Sequence, residues 1–295
     1  MSAPRPFFVL ELHSEGTTRT EFWVNDQPVV VRGDGPGLGR YMAAQSNHLL
    51  VDGTNDLTIV VEAGPRPSLA LGSERRRRAP ITGAADEGIL GARASMKLVR
   101  YLEGMVVGDE KGVALASLAW EAPDHAEGQG GDLSWPQVVS TKVDLGPVAG
   151  GPWRWQSAPR LTLDAPLRAE LTALLEQVGA ALTAGDAATF LTLTAPRTAD
   201  LARAYRRPLA DKEAELRRLV VEEAATPHGG VQGLDPAAWD LRLVGDGRLV
   251  DCVRSDGQAI LRGPPQPVAG GGGVAFCSTY ELRAARLDGK LQVVR

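Results

Sequence analysis

Apolar positions follow a helical period from residue 164 onward and an alternating period before it. Leu167, Leu171, Leu174, Val178 and Leu182 recur at three- and four-residue steps, which puts them on one face of a helix. Asp164 stands at the N-cap position, and Pro166 sits in the first turn, where a missing N–H costs little. Gly185 suits the C-terminal cap. Asp186 suits the cap of a next helix through Phe190 and Leu193. Pro196 opens another helix, with Leu201 and Tyr205, and Pro208 ends it. Ala210–Ala225 reads as a further helix with Leu216, Leu219 and Val220 turned inward. The period then falls to two. Trp239, Leu241 and Leu243 alternate with Asp240 and Arg242. Leu249–Arg254 and Gln258–Arg262 flank Ser255-Asp256-Gly257, which predicts a hairpin. Val274, Phe276, Ser278, Tyr280 and Leu282 share one face of a strand. Asp288-Gly289 turns the chain into Leu291 and Val293.

The first half is strand-like. Phe7–Leu12 forms a short strand. Glu21–Val24 and Pro28–Val31 flank Asn25-Asp26, a hairpin signal. His48–Val51 and Leu57–Val61 predict a second strand–turn–strand unit, and Lys97–Leu102 and Val113–Leu118 a third hairpin. Val138–Leu145 is a last strand. Residues 72–95 and 122–136 read as connections. The stretch 146–152 is rich in glycine and proline and reads as a linker, with Trp153 and Trp155 pinning the two halves beside it. The expected organisation is therefore an antiparallel β-sandwich over 1–155 and, over 156–295, an α+β domain with helices packed on a curved antiparallel sheet.

Composition narrows the function classes. The 295 residues are 43% hydrophobic but only 5% aromatic, so aliphatic side chains must fill the cores. Residues 1–150 hold 14 Lys+Arg against 19 Asp+Glu, and residues 151–295 hold 18 against 17. Neither half is broadly basic, which argues against nucleic acid as a partner. No apolar run reaches the length of a signal-peptide core or a membrane span, so a cytoplasmic protein without membrane contact is expected. Cys252 and Cys277 read as reduced, buried thiols, though neighbouring strands could bring them within disulfide reach.

The run Leu174-Leu175-Glu176-Gln177-Val178-Gly179-Ala180-Ala181-Leu182-Thr183-Ala184-Gly185-Asp186, followed by Phe190, Leu193 and Ala195-Pro196, resembles the opening of nuclear-transport-factor-2-like (cystatin-like, SnoaL-like) domains. The resemblance covers Asp164–Arg295. It implies a cone in which a bent sheet wraps the first helix. Enzymatic members carry acid–base residues inside that cone, and others bind partners, so the fold alone does not select a function. Tyr280 is the expected inward polar group. Asp240, Asp251 and Glu281 are the strand carboxylates, read as solvated. His228 lies in a loop.

No catalytic signature stands on this frame. Gly33–Gly39 lacks the spacing of a phosphate loop. His13, His48, His125 and His228 are isolated from one another and from cysteine, so neither a metal nor another cofactor is expected. Two charge features remain. Arg75, Arg76, Arg77 and Arg78 form a run. Arg203, Arg206 and Arg207, with Arg217 and Arg218, make a second basic patch interleaved with Asp200, Asp211, Glu213 and Glu215, which predicts spaced ion pairs. The pattern favours a non-enzymatic protein-binding module, with Arg75–Arg78, Arg203, Arg206 and Arg207 as partner contacts. One bacterial version is an immunity or adaptor protein for a secreted toxin. The alternative is a small-molecule binder or acid/base enzyme of the cone type, with Tyr280, Ser278, Trp239 and Tyr205 lining its pocket. A third reading is a carbohydrate or peptide platform of Trp23, Tyr41, Tyr101 and Trp120. Nothing in the pattern specifies an oligomeric state.

Overall fold

The computed structural model describes residues 6–16, 19–32, 40–62, 92–108, 111–122, 136–146, 151–226, 229–231, 234–254, 260–263, 279–280 and 282–295. The chain divides into two compact units, Met1–Pro152 and Trp153–Arg295. Among the described residues it combines antiparallel sheets with four α-helices, a mixed α+β architecture.

The described residues of the first unit form eight strands: β1 (Pro6–Glu15), β2 (Arg19–Val24), β3 (Gln27–Arg32), β4 (Arg40–Gln45), β5 (Thr54–Glu62), β6 (Arg93–Leu102), β7 (Val113–Glu121) and β8 (Gln137–Asp144). They form two antiparallel sheets, ordered β4-β1-β6-β7 and β3-β2-β5-β8. Strand alternation sends Phe8, Leu10 and Leu12 of β1 into one core, together with Met96 and Leu98 of β6. Phe22 and Val24 of β2 and Leu57, Ile59 and Val61 of β5 meet them from the other sheet, which makes a two-sheet sandwich. The hairpin expected at Asn25-Asp26 is present. Both residues take left-handed φ values, 50° and 58°, as a two-residue turn matched to strand twist requires.

The strand expected at His48–Val51 is instead a short 3-10 turn, Asn47–Leu49. Asparagine side chains replace a strand ladder there. Asn47 Oδ1 accepts from the Phe8 amide at 2.8 Å, and Asn55 both accepts from the Val51 amide and donates to its carbonyl, each at 2.8 Å. Leu49 and Leu50 still reach the core. Hydrophobicity at these positions reported burial, not conformation.

The second unit carries α1 (Ala165–Ala184), α2 (Ala187–Leu193), α3 (Ala195–Ala204) and α4 (Leu209–Ala224), then β9 (Trp239–Val244), β10 (Leu249–Arg254), β11 (Leu261–Arg262), β12 (Thr279–Tyr280), β13 (Ala284–Leu287) and β14 (Lys290–Val293). Asp164 caps α1 by accepting from the Leu167 amide at 2.9 Å. Gly185 ends it at φ 67°, a conformation costly to other residues. Asp186 then caps α2, accepting from the Thr189 amide at 3.1 Å and its hydroxyl at 2.7 Å. These contacts hold the Asp186 carboxyl below its usual range, with the Thr189 hydroxyl the leading cause. Replacing Asp164 with alanine is expected to cost about 1 kcal/mol, the usual worth of an N-cap. Urea unfolding of the two proteins measures it.

Three details of the expected helix and strand packing change. Leu175 occupies the buried stripe of α1, and Leu174 is only half-buried. Leu219 is exposed. The inward stripe of α4 is Leu216 and Val220, four residues apart, and Leu219 sits about 100° around the helix from Val220. The large sheet is ordered β14-β13-β10-β9, and β11 pairs with β12 in a separate ribbon. Hence the described residues do not show β10 and β11 as a hairpin. The turn at 255–257 and most of the strand expected over 274–282 lie outside them.

Candidate functional site

The sharpest chemistry of the second unit lies where α3, the 3-10 turn Arg154–Ser157 and the end of the chain meet. Asp200, on α3, is 1% exposed. Its Oδ1 accepts from Arg203 Nη2 at 3.2 Å, one helical turn away, and lies 3.9 Å from Arg154 Nη1. Its Oδ2 lies 3.7 Å from Arg295 Nη1. Trp153 is the aromatic member of the centre. The guanidinium carbons of Arg203 and Arg295 stand 5.1 and 4.8 Å from its ring centroid, so two cations lie against one indole ring. Arg295 itself is buried, and its backbone exchanges hydrogen bonds with Arg283 at 2.7 and 3.2 Å.

Arg283 connects this centre to a second buried carboxylate. Asp251 of β10 sits directly across from Arg242 of β9 in the strand register. Its Oδ2 accepts from Arg242 Nε at 2.9 Å, and its Oδ1 is 3.9 Å from Arg283 Nε. Asp251 is therefore buried and paired, not on a solvated face as its strand position suggested. Asp240, two strand positions from Arg242, is exposed and receives Arg168 Nη2 at 3.3 Å. Arg197, also on α3, is half-buried beside Arg283. Burial foremost, and then the Arg283 charge, push its pKa down. Burial, with the arginines around it, pushes Arg295 down to about 10 against the pull of Asp200.

The residues singled out from sequence scatter. Arg75–Arg78, Ser278, Glu281, His228 and Cys277 lie outside the described residues. Of the second basic patch, Arg203 belongs to the Asp200 centre, and Arg207 donates to Glu215, which Lys212 also pairs at 2.6 Å. Spaced ion pairs thus take up Arg203, Arg207 and Arg218, the last 3.8 Å from Glu222, while Arg206 is exposed in a left-handed turn at φ 51°. Of the pocket set, Ser278 lies outside the described residues, and Trp239 and Tyr280 belong to the same helix–sheet core. Trp239 is buried in the helix–sheet core under the Arg168 guanidinium. The Tyr280 hydroxyl donates to Glu223, and burial followed by that carboxylate raises its pKa. Tyr205 lies near Arg295, its hydroxyl pushed up by burial. Cys252 is half-buried, and burial raises its thiol. Arg154, Arg197, Asp200, Arg283 and Arg295 had no sequence signal as a set, apart from the three-residue spacing of Asp200 and Arg203.

The platform reading fails in the first unit. Trp23, Tyr101 and Trp120 are buried, and only Tyr41 is exposed. The sheet β4-β1-β6-β7 carries a second small core on its other face, built from Val9, Val99 and Tyr101 with Phe7 and Met105. The β6–β7 connection folds onto it. Tyr101 donates to Glu11 Oε1 at 2.9 Å and accepts from the Gly108 amide at 3.0 Å. Gly112 passes so close that a Cβ there would stand 2.6 Å from the Tyr101 ring. This pinned connection holds Val106 outward at 73% exposure, with Val107 and Val113 also exposed.

Among the described residues no three His, Cys, Asp or Glu converge as metal ligands, and no helix is long and apolar enough to cross a membrane. Comparison of the chain with protein-family models, with curated proteins and with solved structures finds no match.

Proposed function

We propose that the protein is a non-enzymatic protein-binding module whose first unit recognises an apolar pocket on a partner. The observation that carries this reading is the pair Val106–Val107. Large apolar side chains displayed at the tip of a connection that hydrogen bonds and a second core hold in place are pre-organised for contact, which lowers the ordering cost of binding. The second unit, in this reading, is a nuclear-transport-factor-2-like cone. Its support is the long helix ended by Gly185-Asp186, the short helices after it and the antiparallel sheet that follows. An immunity or adaptor protein for a secreted toxin is one form such a module takes.

Complete burial of a valine contributes about 1.5–3 kcal/mol. The double variant V106D/V107D is therefore expected to weaken partner binding by at least about tenfold, with the melting temperature unchanged because both side chains point to solvent. Affinity purification of the tagged wild-type and variant chains from their own organism, with mass spectrometry, reads this. A stoichiometric protein captured by the wild type and lost from the variant supports the module. If that protein is also toxic when expressed alone, the immunity form is supported. A stoichiometric protein retained by the variant, or none captured by either, overturns the assignment.

A further inference from the structure

We infer that the outer edge of β7 is an interface that pairs with the same edge of a second copy of this chain. The first argument is topology. β7 ends the sheet β4-β1-β6-β7, and among the described residues only β6 pairs with it. The Ala122 amide donates to the Ala92 carbonyl at 2.8 Å. Hydrogen-bonded and open pairs alternate along an antiparallel ladder. Trp120 and Leu118 therefore bond to β6 through Ala94 and Met96, while Ser117, Ala119 and Glu121 aim their N–H and C=O groups away from it. Those groups make no backbone hydrogen bond among the described residues, and all three residues are exposed.

The second argument is the absence of a guard. β7 is nine residues long, against about 5–6 for a usual strand. From Val113 to Trp120 it carries neither a charge nor a proline. A long uncharged edge is a template for another strand, and folded proteins blunt theirs with lysine, proline or bulges. The register shift beside Leu98 precedes Ser117, so Ser117–Glu121 stays regular. The other sheet ends are guarded: β3 carries Pro28, β8 carries Lys142 and β4 opens on Arg40. The third argument is symmetry. A two-fold axis beside Ala119 sets Ala119 opposite its own copy, and Ser117 of each chain opposite Glu121 of the other. Each facing pair then exchanges two main-chain hydrogen bonds. The single charge of the strand faces a serine, so no like charges meet. Any extended strand would satisfy the backbone groups; this self-complementary pattern favours a second copy.

Sedimentation equilibrium of the full chain over a concentration series tests the pairing. A contact of one strand edge sits at the small end of specific interfaces, so a concentration-dependent dimer is expected. Ala119→Pro removes an N–H that β6 does not use and should give a folded monomer. Ser117→Glu faces Lys97 across the ladder within its own chain, but it faces Glu121 of the other copy, twice by symmetry. It should weaken the dimer by about tenfold or more, and it keeps the test valid if Ala119→Pro does not fold. V106D/V107D leaves the edge intact and should dimerise as the wild type does, so failure of the valine-tip reading and failure of this one are separate results. The inference is overturned if the wild type stays monomeric at every concentration, or if both edge variants dimerise as it does. A purified chain that is monomeric, yet leaves its own organism in a one-to-one complex that Ser117→Glu breaks, assigns the edge to another protein's strand and also overturns it.

Discussion

Replacing Glu21 with alanine lowers the stability of the first unit by about 3–5 kcal/mol, the cost of stranding a buried charge. Glu21 is 0% exposed, and both of its carboxylate oxygens are engaged. Oε1 accepts from Arg19 Nε at 3.2 Å and Oε2 from Trp23 Nε1 at 3.0 Å. All three residues alternate along β2 on the face opposite Phe22 and Val24, so a strand with one core-facing set is buried on both sides. Alanine removes the carboxylate that pairs with Arg19 from its own strand. Urea unfolding followed by tryptophan fluorescence measures the loss, and Trp23 reports locally. Glu62 stands directly across from Arg19 in the strand register, so a cost near the lower bound marks Glu62 taking over the guanidinium. The double change Arg19→Met/Glu21→Leu is expected to be far milder than Glu21→Ala, since an apolar pair of similar volume removes both desolvation costs. A single-variant loss below about 1 kcal/mol, the range of exposed pairs, would show that the network contributes little.

The second unit shows where sequence reading succeeds and where it stops. Asp164, Gly185 and Asp186 act through backbone groups three to five residues away, so their roles are written in local spacing, and the helix ends fall where that spacing places them. Asn25-Asp26 works the same way. Leu219 and Leu174 show the first limit. Helical period fixes a stripe, but which residues at its edge are covered depends on the neighbouring element. Asp251 shows the second. Its burial rests on Arg242 directly across the ladder, a pairing that one strand alone does not contain. The Asp200 centre is the extreme case. It joins residue 154 in a 3-10 turn, residues 197–203 on a helix and residue 295 at the end of the chain. Arg203 and Tyr205 were both legible as noteworthy, but for different readings, because sequence gives their types and not that Arg295 lies beside each. On the first unit, tryptophan and tyrosine positions suggested a platform, and strand alternation alone could not tell that both faces of a sheet carry cores.

Asp200→Ala is expected to cost about 3–5 kcal/mol, because it withdraws the internal anion from a buried Arg295. Arg154 and Arg203 reach solvent and lose less, so the cost is set by Arg295 and the Trp153 face that holds it. The double variant Asp200→Ala/Arg295→Met removes the stranded charge and is expected to recover most of the stability, as buried pairs replaced by apolar residues do. Urea unfolding of the single and double variants measures both. Recovery by the second substitution identifies the destabilisation as uncompensated cation charge. Loss in Asp200→Ala that the second substitution does not reverse would instead assign Asp200 a packing role in α3.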